Sequence, residues 1–419
     1  MSRIRSIVAG SAGNLVEWYD WYVYSAFSLY FAPIFFPSAD RTSELLGTAA
    51  VFAVGFVMRP LGAWWMGIFA DRHGRKAGLT LSVLLMCAGS VTIALTPGHA
   101  QIGVFAPIIL VAARLLQGLS VGGEYGASAT YLSEIAGRER RGLWSSLQYV
   151  TIIAGQLIAL SVLILLQTVL PKPALAAWGW RIPFLVGGLL SICVFWLRRG
   201  LVETSSFAAI EGKGRSGALV LFREHPKAAF TVIGLTAGGT LAFYAYTTYI
   251  QKYLVVTSGF EKEAATRITA AALFVFMLLQ PVVGALSDRV GRRPIMIAFG
   301  VLGTLFTYPI MTTLGHTHRA LPAFGLALAL LVIVSGYTAI NAVVKAELFP
   351  AEIRALGVAL PYAIANTIFG GTAEWVALKL RSRGLESVFF VYVTVGIAVS
   401  LVVYVVMRDT RTHSKIVED

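Results

Sequence analysis

Long apolar runs dominate this chain, and short polar segments separate them. Stretches near 20 residues long with few or no charges recur in these runs, which is the length that a helix needs to cross about 30 Å of hydrocarbon. Twelve such runs cover residues 8–36, 45–70, 77–96, 102–134, 139–169, 177–198, 227–256, 262–287, 294–314, 320–348, 355–381 and 385–407. The pattern predicts an all-α integral membrane protein with twelve transmembrane helices.

The composition agrees with a membrane protein and argues against an enzyme. Hydrophobic residues make up 57% of the chain and charged residues only 13%, with a mean hydropathy of +0.74, which lies far outside the soluble range. The sequence has no phosphate-binding Gly-Lys-Ser/Thr loop, no histidine–carboxylate cluster and no nucleophile elbow. We therefore expect no catalytic site, no cofactor and no metal.

The positive charge is distributed as in a membrane protein. The formal net charge is +13, from 34 Lys and Arg residues against 21 Asp and Glu. If both termini are cytoplasmic and the chain spans the membrane twelve times, most of these cations fall in cytoplasmic loops, which is the bias that sets orientation. No basic, aromatic surface for nucleic acid is visible.

A ten-residue motif occurs twice, once in each part of the chain. Gly67-Ile-Phe-Ala-Asp71-Arg72-His-Gly-Arg75-Lys is repeated in spacing by Gly284-Ala-Leu-Ser-Asp288-Arg289-Val-Gly-Arg292-Arg, and an apolar run stands on either side of each copy. The repeat predicts two similar six-helix bundles, residues 1–200 and 227–419, joined by a polar cytoplasmic linker at 201–226. Such parallel repeats place a cavity between the bundles, around a pseudo-two-fold axis along the membrane normal.

This duplicated motif resembles the signature of the major facilitator superfamily. Segments 14–20 (Asn-Leu-Val-Glu-Trp-Tyr-Asp), 55–62 (Gly-Phe-Val-Met-Arg-Pro-Leu-Gly) and 114–124 (Arg-Leu-Leu-Gln-Gly-Leu-Ser-Val-Gly-Gly-Glu) are similar to its metabolite–proton symporter branch. The resemblance implies a monomer in the bacterial inner membrane that imports a small metabolite with protons by alternating access. Within the branch, segments 178–184, 246–253, 345–350 and 362–366 point to a dicarboxylate, with 2-oxoglutarate as the expected substrate. Citrate, shikimate or a zwitterion such as proline or betaine is the alternative.

Arg59 lies well inside the second apolar run. An ionisable group at that depth costs at least about 2.5–3.5 kcal/mol on insertion scales, so it needs a reason. The guanidinium matches a carboxylate with two parallel hydrogen bonds and never loses its charge. Arg59 is therefore a candidate clamp for a substrate carboxylate; the alternative is a permanent ion pair with Glu17 or Asp20.

The seventh run ends in a polar, aromatic stripe. Tyr244, Thr248 and Gln251 follow helical spacing and could line one wall of the substrate site, with Tyr244 and Gln251 as predicted substrate contacts, and Lys252 comes next. Opposite Arg59, Lys252 would hold the second carboxylate of a dicarboxylate between the bundles. Alternatively, Lys252 extends to the outer membrane interface.

Acidic residues on the first and fourth runs are candidates for proton coupling. Glu17 and Asp20 are three residues apart on one helical face, and two close buried carboxylates favour protonation of one of them. Either they carry the proton, or they pair permanently with Arg59 or Arg114. Arg114 is a counter-ion or a second substrate contact, and Glu124 is a coupling acid or a structural ion pair.

Further polar residues complete the predicted site and the gates. Asn14, Tyr24, Tyr362 and Asn366 are predicted to contact substrate, and Glu374 could do so, while Lys345 is interpreted as a gate or packing charge. Asp71, Arg72, Arg75, Asp288, Arg289 and Arg292 are predicted gate residues. The resemblance implies that the aspartate contacts the N-terminus of a neighbouring helix and an arginine; the alternative is that these charges only set topology.

Overall fold

The computed structural model describes residues 3–73, 75–122, 125, 129–130, 132–133, 137–199 and 218–416, and it describes their side chains except at 3–12, 67–68, 70–79, 138, 197–199 and 219. Regular secondary structure in these residues is entirely helical, as predicted. Twelve long helices follow one another in this part of the chain. They are α1 Arg3–Phe35, α2 Arg41–His73, α3 Arg75–Leu95, α4 Phe105–Val121, α5 Arg141–Val169, α6 Ile182–Arg199, α7 Pro226–Val256, α8 Lys262–Val290, α9 Arg292–Gly315, α10 Ala320–Glu347, α11 Arg354–Arg381 and α12 Glu386–Val406.

Short helices connect some of these elements. They are His99–Ile102, Lys172–Ala177 and Ala218–Glu224, with single 3₁₀ turns at Arg138–Arg140 and Gly179–Arg181. Nine of the long helices in the described part are long and apolar enough to cross a membrane, and Thr80–Leu95 and Phe105–Val121 are shorter apolar helices. Large apolar side chains such as Leu305, Val402 and Val406 are exposed on the outside of the molecule, as lipid-facing residues are.

The packing of the helices repeats along the chain. The contacts α1–α5, α2–α4 and α3–α6 recur six helices later as α7–α11, α8–α10 and α9–α12. Helices α5 and α8, and likewise α2 and α11, join the two sets, which we call the first half (α1–α6) and the second half (α7–α12). This arrangement is the one that the repeated motif predicts. The exact domain boundaries stay a prediction, because most of the linker at 201–226 lies outside the described residues.

Glycines allow α2 and α4 to pack with their backbones in contact. A Cβ atom at Gly118 would lie 2.0 Å from the carbonyl oxygen of Gly55, and one at Gly122 would lie 2.2 Å from that of Arg59. Small residues at such positions are typical of helix pairs in bilayers. The close approach places Arg59 of α2 near Arg114 of α4, and Arg59 lines one cavity with Tyr125, which follows α4 in the chain.

Two helices of the second half contain a π-helical turn. It covers Tyr244–Tyr249 in α7 and Asn366–Gly370 in α11. Such turns are rare, occur frequently at functional sites and re-aim the side chains that follow. Here each turn begins at a residue that the sequence analysis assigns to the substrate site.

Candidate functional site

A narrow cavity lies between the two halves, near the middle of α2. Helices α1, α2 and α4 bound it on one side and α11 on the other. Its lining residues are Glu17, Trp18, Arg59, Val121, Gly122, Tyr125, Ala359, Tyr362 and Ala363. Arg59 and Glu17 therefore share one opening at the interface between the halves.

Arg59 is buried among aromatic rings. Its Cζ atom lies 3.8 Å from the ring centroid of Phe56 and 4.4 Å from that of Trp21. Its Nε and Nη2 atoms have no hydrogen-bond partner among the described residues. Both interpretations of Arg59, the substrate clamp and the permanent ion pair, stay predictions.

Arg114 shares Trp21 with Arg59. Its Cζ atom lies 4.0 Å from the ring centroid of Trp21 and 4.2 Å from that of Tyr24. Nη1 donates to Oε1 of Gln117 at 2.8 Å, whereas Nε and Nη2 have no partner among the described residues. Cation–π contacts offset part of the desolvation of both guanidinium groups but satisfy few of their N–H donors.

Asp20 is connected to Arg114 through one intervening side chain. Gln117 Nε2 donates to Asp20 Oδ2, and the hydroxyl of Ser90 donates to Asp20 Oδ1. Gln117 accepts from Arg114 at the same time, so the three polar groups form a chain from α4 to α1. Asp20 is fully enclosed, with 1% of its surface exposed.

Lys252 is paired differently from the prediction. Nζ lies 2.6 Å from Oε1 of Glu374 and 2.7 Å from Oγ of Ser25. Both charged side chains are buried, and Lys252 does not line the cavity that Arg59 faces. In this structure its charge is therefore paired with Glu374 and its side chain is buried, and its role as a substrate contact stays a prediction.

Three other predicted contacts connect helices instead of facing the cavity. Asn14 Nδ2 donates to Thr151 Oγ1 at 2.7 Å, which ties α1 to α5. Gln251 Nε2 donates to Thr266 Oγ1 at 3.0 Å, which ties α7 to α8. The hydroxyl of Tyr24 donates to the carbonyl of Thr48 at 3.0 Å, although its ring packs on Arg114.

The remaining predicted contacts lie close to Arg59 or the cavity. Tyr244 packs edge-on against Phe56 with ring centroids 5.4 Å apart, and its buried hydroxyl has no partner within hydrogen-bond distance among the described residues. Asn366 accepts from Thr240 at 2.5 Å, while its Nδ2 has no partner among the described residues. Tyr362 lines the cavity directly. The two π-helical turns thus bring unused polar atoms toward the interface.

Sequence reasoning missed two residues of this region and gave a third, Lys345, only a gate or packing role. Trp18 and Trp21 form the aromatic support of Arg59, and Lys345 is a fully buried cation beside the cavity. A signal for Lys345 was present, because Tyr337, Asn341 and Lys345 are spaced four apart and make a polar stripe on an otherwise apolar helix. Nothing in the sequence pattern separates the two tryptophans from ordinary core aromatics.

Asp288 makes the contacts predicted for a gate aspartate. Oδ1 and Oδ2 accept from the backbone N–H groups of Gly142 and Leu143 at 2.7 and 2.9 Å, at the start of α5. Arg292 Nη1 lies 2.7 Å from Oδ1. A helix N-terminus stabilises a nearby anion by roughly 0.3–1 kcal/mol. These are the contacts that the resemblance implies, and the gate role of Asp288 stays a prediction.

A charge network surrounds Asp288. Arg292 Nη2 and Arg141 Nη1 lie 3.4 and 3.8 Å from Oε1 of Glu347, and Thr410 donates to Oε2 at 2.6 Å. Arg289, by contrast, is exposed. We call this region the Asp288 end of the molecule. The predicted gate residues of the first motif cannot be compared with it, because the side chains of Asp71, Arg72 and Arg75 lie outside the described residues. Glu124, a candidate coupling acid, lies outside them as well.

The two halves are also bridged at the opposite end, which we call the Lys252 end. Ser25 of α1 bonds to both Lys252 and Glu374, and the hydroxyl of Tyr22 donates to the carbonyl of Thr247 at 2.9 Å. The cavity with Arg59 therefore lies between two sets of contacts, each joining the first half to the second. No group of three or more His, Cys, Asp or Glu residues in the described ranges is placed to hold a metal.

Comparisons with known proteins agree with this architecture. The profile of the family described as "Sugar (and other) transporter" matches residues 6–226 and again residues 216–416. The alpha-ketoglutarate permease of Escherichia coli K12 is 54% identical over 97% of this chain and 94% of its own length. The citrate-proton symporter of Klebsiella pneumoniae is 34% identical over 90% of this chain and 86% of its own, and the proline/betaine transporter of E. coli K12 is 30% identical over 98% and 84%.

Solved structures show the same fold at low sequence identity. The proton:xylose symporter XylE, bound to 6-bromo-6-deoxy-D-glucose, superposes with a TM-score of 0.80 and is 17% identical, over 98% of this chain and 97% of that one. At this identity the likeness concerns the fold alone.

Proposed function

This chain belongs to the sugar (and other) transporter family of the major facilitator superfamily, and we propose that it imports a small dicarboxylate, 2-oxoglutarate, together with protons. The predicted twelve-helix fold is confirmed, and the protein is a multi-pass membrane transporter rather than an enzyme. We further propose that it works as a monomer in the bacterial inner membrane with both termini in the cytoplasm. The most similar of the relatives described above carries alpha-ketoglutarate in its name.

The observation that carries the proposal is the state of Arg59. It is a buried cation at the interface of the halves, with two N–H-bearing nitrogens that have no acceptor in the part of the chain that the structure describes. A buried, uncompensated guanidinium is costly unless a ligand satisfies it. A carboxylate fits, because its two oxygens accept two parallel N–H bonds from the planar fork. Tyr244 and Asn366 supply further unused polar atoms near the same interface.

Proton coupling is assigned to the acids of α1. Asp20 is bonded to Gln117 and Ser90 and linked through Gln117 to Arg114, which packs on the same tryptophan as Arg59. Protonation of Asp20 removes the negative charge from the hydrogen-bonded series Asp20–Gln117–Arg114. Arg114 then carries an excess positive charge beside the substrate site. That change favours an anionic substrate. Glu17 lines the cavity with Arg59 and is the second candidate, and Glu124 remains a third.

The two bridged ends supply the gates. Asp288 and Arg292 hold α8 against α5 at one end, and Lys252, Glu374 and Ser25 hold α1 against α7 and α11 at the other. Alternating access requires that one set of contacts opens while the other stays closed. We propose that Asp71, Arg72, Arg75 and Arg289 act with Asp288 and Arg292 at the cytoplasmic side.

One observation favours a different cargo. Glu17 and Arg59 line the same cavity, and an anion beside a cation also suits a zwitterion such as an amino acid or betaine. A zwitterion would place its carboxylate on Arg59 and its ammonium near Glu17. The dianion is preferred because Lys345, in the second half, is a further buried cation. Glu17 is the only acidic residue among the described residues that line the cavity.

Uptake into proteoliposomes tests the proposal. Radiolabelled 2-oxoglutarate is supplied to vesicles with an imposed pH gradient, acid outside, and challenged with succinate, citrate, shikimate and proline. We expect accumulation that requires the gradient and competition strongest from dicarboxylates. Uptake that is independent of the gradient would refute proton symport, and competition by proline alone would move the substrate to the zwitterion class.

A further inference from the structure

Lys345 of α10 is a buried cation without an anion. Its side chain has no exposed surface, and its Nζ atom makes one hydrogen bond, to the hydroxyl of Tyr125 at 3.0 Å. No acidic side chain lies within ion-pair distance of it among the described residues. Lys252 and Arg292, also buried in the second half, each have a carboxylate at 2.6–2.7 Å. Unlike Lys252 and Arg292, Lys345 thus has no carboxylate beside it in the described part of the chain.

The surroundings of Lys345 are the wall of the cavity that Arg59 faces. Nζ lies 3.8 Å from the ring centroid of Tyr362 and 4.9 Å from that of Tyr125, and both rings line the cavity. The two rings stack on each other across the interface, 3.9 Å apart and 13° from parallel. Tyr125 belongs to the first half, whereas Lys345 and Tyr362 belong to the second. A movement of the halves therefore changes what Lys345 contacts.

The hydroxyl of Tyr125 is a weak substitute for an anion. It accepts from Lys345 and donates to Oδ1 of Asn341 at 3.0 Å, so its hydrogen is directed away from the lysine. A neutral hydroxyl oxygen and two π faces stabilise an ammonium less than a carboxylate does, since hydrogen bonds between ionised groups are about twice as strong as neutral ones. A carboxylate that reached this point would displace the tyrosine hydroxyl and gain the full interaction.

We propose that Lys345 binds the second carboxylate of the substrate, opposite Arg59, and that Tyr125 occupies this position when no substrate is bound. The proposal rests on the proposed function and replaces Lys252 in the role that the sequence analysis gave it. Arg59 from the first half and Lys345 from the second half then receive the two ends of one dianion. The substrate then contacts both halves. It binds more tightly when the halves are close together, so its binding favours the closed arrangement.

The assignment makes Lys345 a determinant of selectivity. A substrate with one carboxylate satisfies Arg59 and leaves Lys345 on the tyrosine hydroxyl. A substrate with two satisfies both cations. Removal of the lysine charge should therefore weaken dicarboxylates alone, whereas a structural role would weaken all ligands together.

Binding to the purified, full-length protein separates these cases. Affinities for 2-oxoglutarate and for 2-oxopentanoate, which lacks the distal carboxylate, are compared by calorimetry in the wild type, Lys345→Met and Lys345→Arg. We expect Lys345→Met to weaken 2-oxoglutarate by about tenfold or more, as the loss of one charge-assisted contact does, with little change for 2-oxopentanoate. Lys345→Arg should retain most of the preference for the dicarboxylate.

Lys262→Met is the matched control. This lysine also packs on a tyrosine ring, with Nζ 4.3 Å from the centroid of Tyr30, and also bonds to a neutral oxygen, the carbonyl of Leu29 at 2.6 Å. It lies at the start of α8 and does not line the cavity. Its replacement should leave the ratio of the two affinities unchanged.

The outcomes distinguish the two proposals. If the wild type binds neither ligand, the proposed function fails and the role of Lys345 fails with it. If the wild type prefers 2-oxoglutarate and Lys345→Met keeps that preference, the proposed function stands and the role of Lys345 is refuted. If Lys345→Met does not fold, Tyr125→Phe decides: loss of the competing hydroxyl should tighten 2-oxoglutarate alone, and an unaltered affinity would refute the proposal.

Discussion

Lys252 Nζ and Glu374 Oε1 lie 2.6 Å apart in a contact that is almost entirely buried, and Ser25 of the first half bonds to both. The pair therefore does two things at once. It cancels the charge that the sequence analysis had assigned to the substrate, and it closes the Lys252 end by joining α1 to α7 and α11. A buried ion pair is a poor source of stability but is very sensitive to the loss of one partner.

Replacing one residue of this pair should destabilise the protein more than replacing both. Lys252→Met or Glu374→Gln each leaves one buried group uncompensated, with an expected cost of about 3–5 kcal/mol, whereas the double variant leaves none. We expect both single variants to melt at clearly lower temperature than the wild type and the double variant to recover part of the loss. Thermal unfolding of the purified protein measures this.

Lys172 provides the control for that cycle. It pairs with Glu261 at 3.4 Å, but both side chains are more than three-quarters exposed, and exposed pairs contribute about 0–1 kcal/mol. Lys172→Met should leave the melting temperature nearly unchanged. A double variant of Lys252 and Glu374 whose loss equals the sum of the single losses would show that the two residues do not act as a pair.

The guanidinium shape of Arg59, and not only its charge, should be required for transport. Lys keeps the charge but lacks the planar fork that matches both oxygens of a carboxylate. Since a hydrogen bond to a charged group contributes roughly 1.5–3 kcal/mol, Arg59→Lys should raise the KM for 2-oxoglutarate by about tenfold to a hundredfold. Uptake kinetics in proteoliposomes measure the change.

An exposed arginine serves for comparison. Arg319 lies on the surface before α10, and Arg319→Lys should have wild-type kinetics. If Arg59→Lys also kept the wild-type KM, Arg59 would be a point charge that sets the local field and not a bidentate clamp.

The fold could be predicted from the sequence because its main cause acts on each segment separately. A run of 20 apolar residues enters hydrocarbon whatever its neighbours are, and backbone hydrogen bonding then requires a helix. The duplicated motif added the pairing of the halves, and Asp288 shows that its chemistry carries over to the structure. These inferences needed no knowledge of which side chains meet.

The site could be predicted only in part, because it depends on which side chains come into contact in the folded protein. Arg59 was found since its cost in the membrane demands a ligand whatever its neighbours are. The pairing of Lys252 could not be predicted, because its partners Ser25 and Glu374 are distant in sequence and only the packed bundle brings them together. Lys345 was interpreted as a gate or packing charge, because nothing in the sequence shows that Tyr125 and Tyr362 lie beside it.

Asp20 should be required for the coupling of protons to transport but not for the transport step itself. Asn has the shape of Asp and can still contact Ser90 and Gln117, but its amide does not bind and release a proton as a carboxylate does. With Asp20→Asn we expect that a pH gradient no longer drives accumulation, while exchange of labelled for unlabelled 2-oxoglutarate across the membrane continues. Both are measured in the same vesicles.

Asp40 is the comparison for Asp20. It is an exposed carboxylate that also accepts from a serine hydroxyl, that of Ser43, at 2.5 Å, and Asp40→Asn should keep gradient-driven uptake. Accumulation by Asp20→Asn that still follows the pH gradient would transfer the coupling role to Glu17 or Glu124.

Gly284, the leading glycine of the second motif, should be essential for closing the Asp288 end. A Cβ atom there would lie 2.6 Å from the carbonyl oxygen of Gly142 and 2.8 Å from Cβ of Ser146, so α8 and α5 touch backbone to backbone at this point. Gly284→Val would force the helices apart and pull Asp288 from the N-terminus of α5. We expect uptake to be lost. We also expect a cysteine placed at Ser287, a position that is buried in this structure, to become reactive toward a membrane-impermeant thiol reagent.

Gly325→Val is the control for Gly284→Val, because a Cβ atom at Gly325 meets nothing within 4 Å. It should leave both the uptake and the reactivity of the cysteine at position 287 unchanged. Wild-type uptake by Gly284→Val would show that the close approach of α8 and α5 is not needed in the transport cycle.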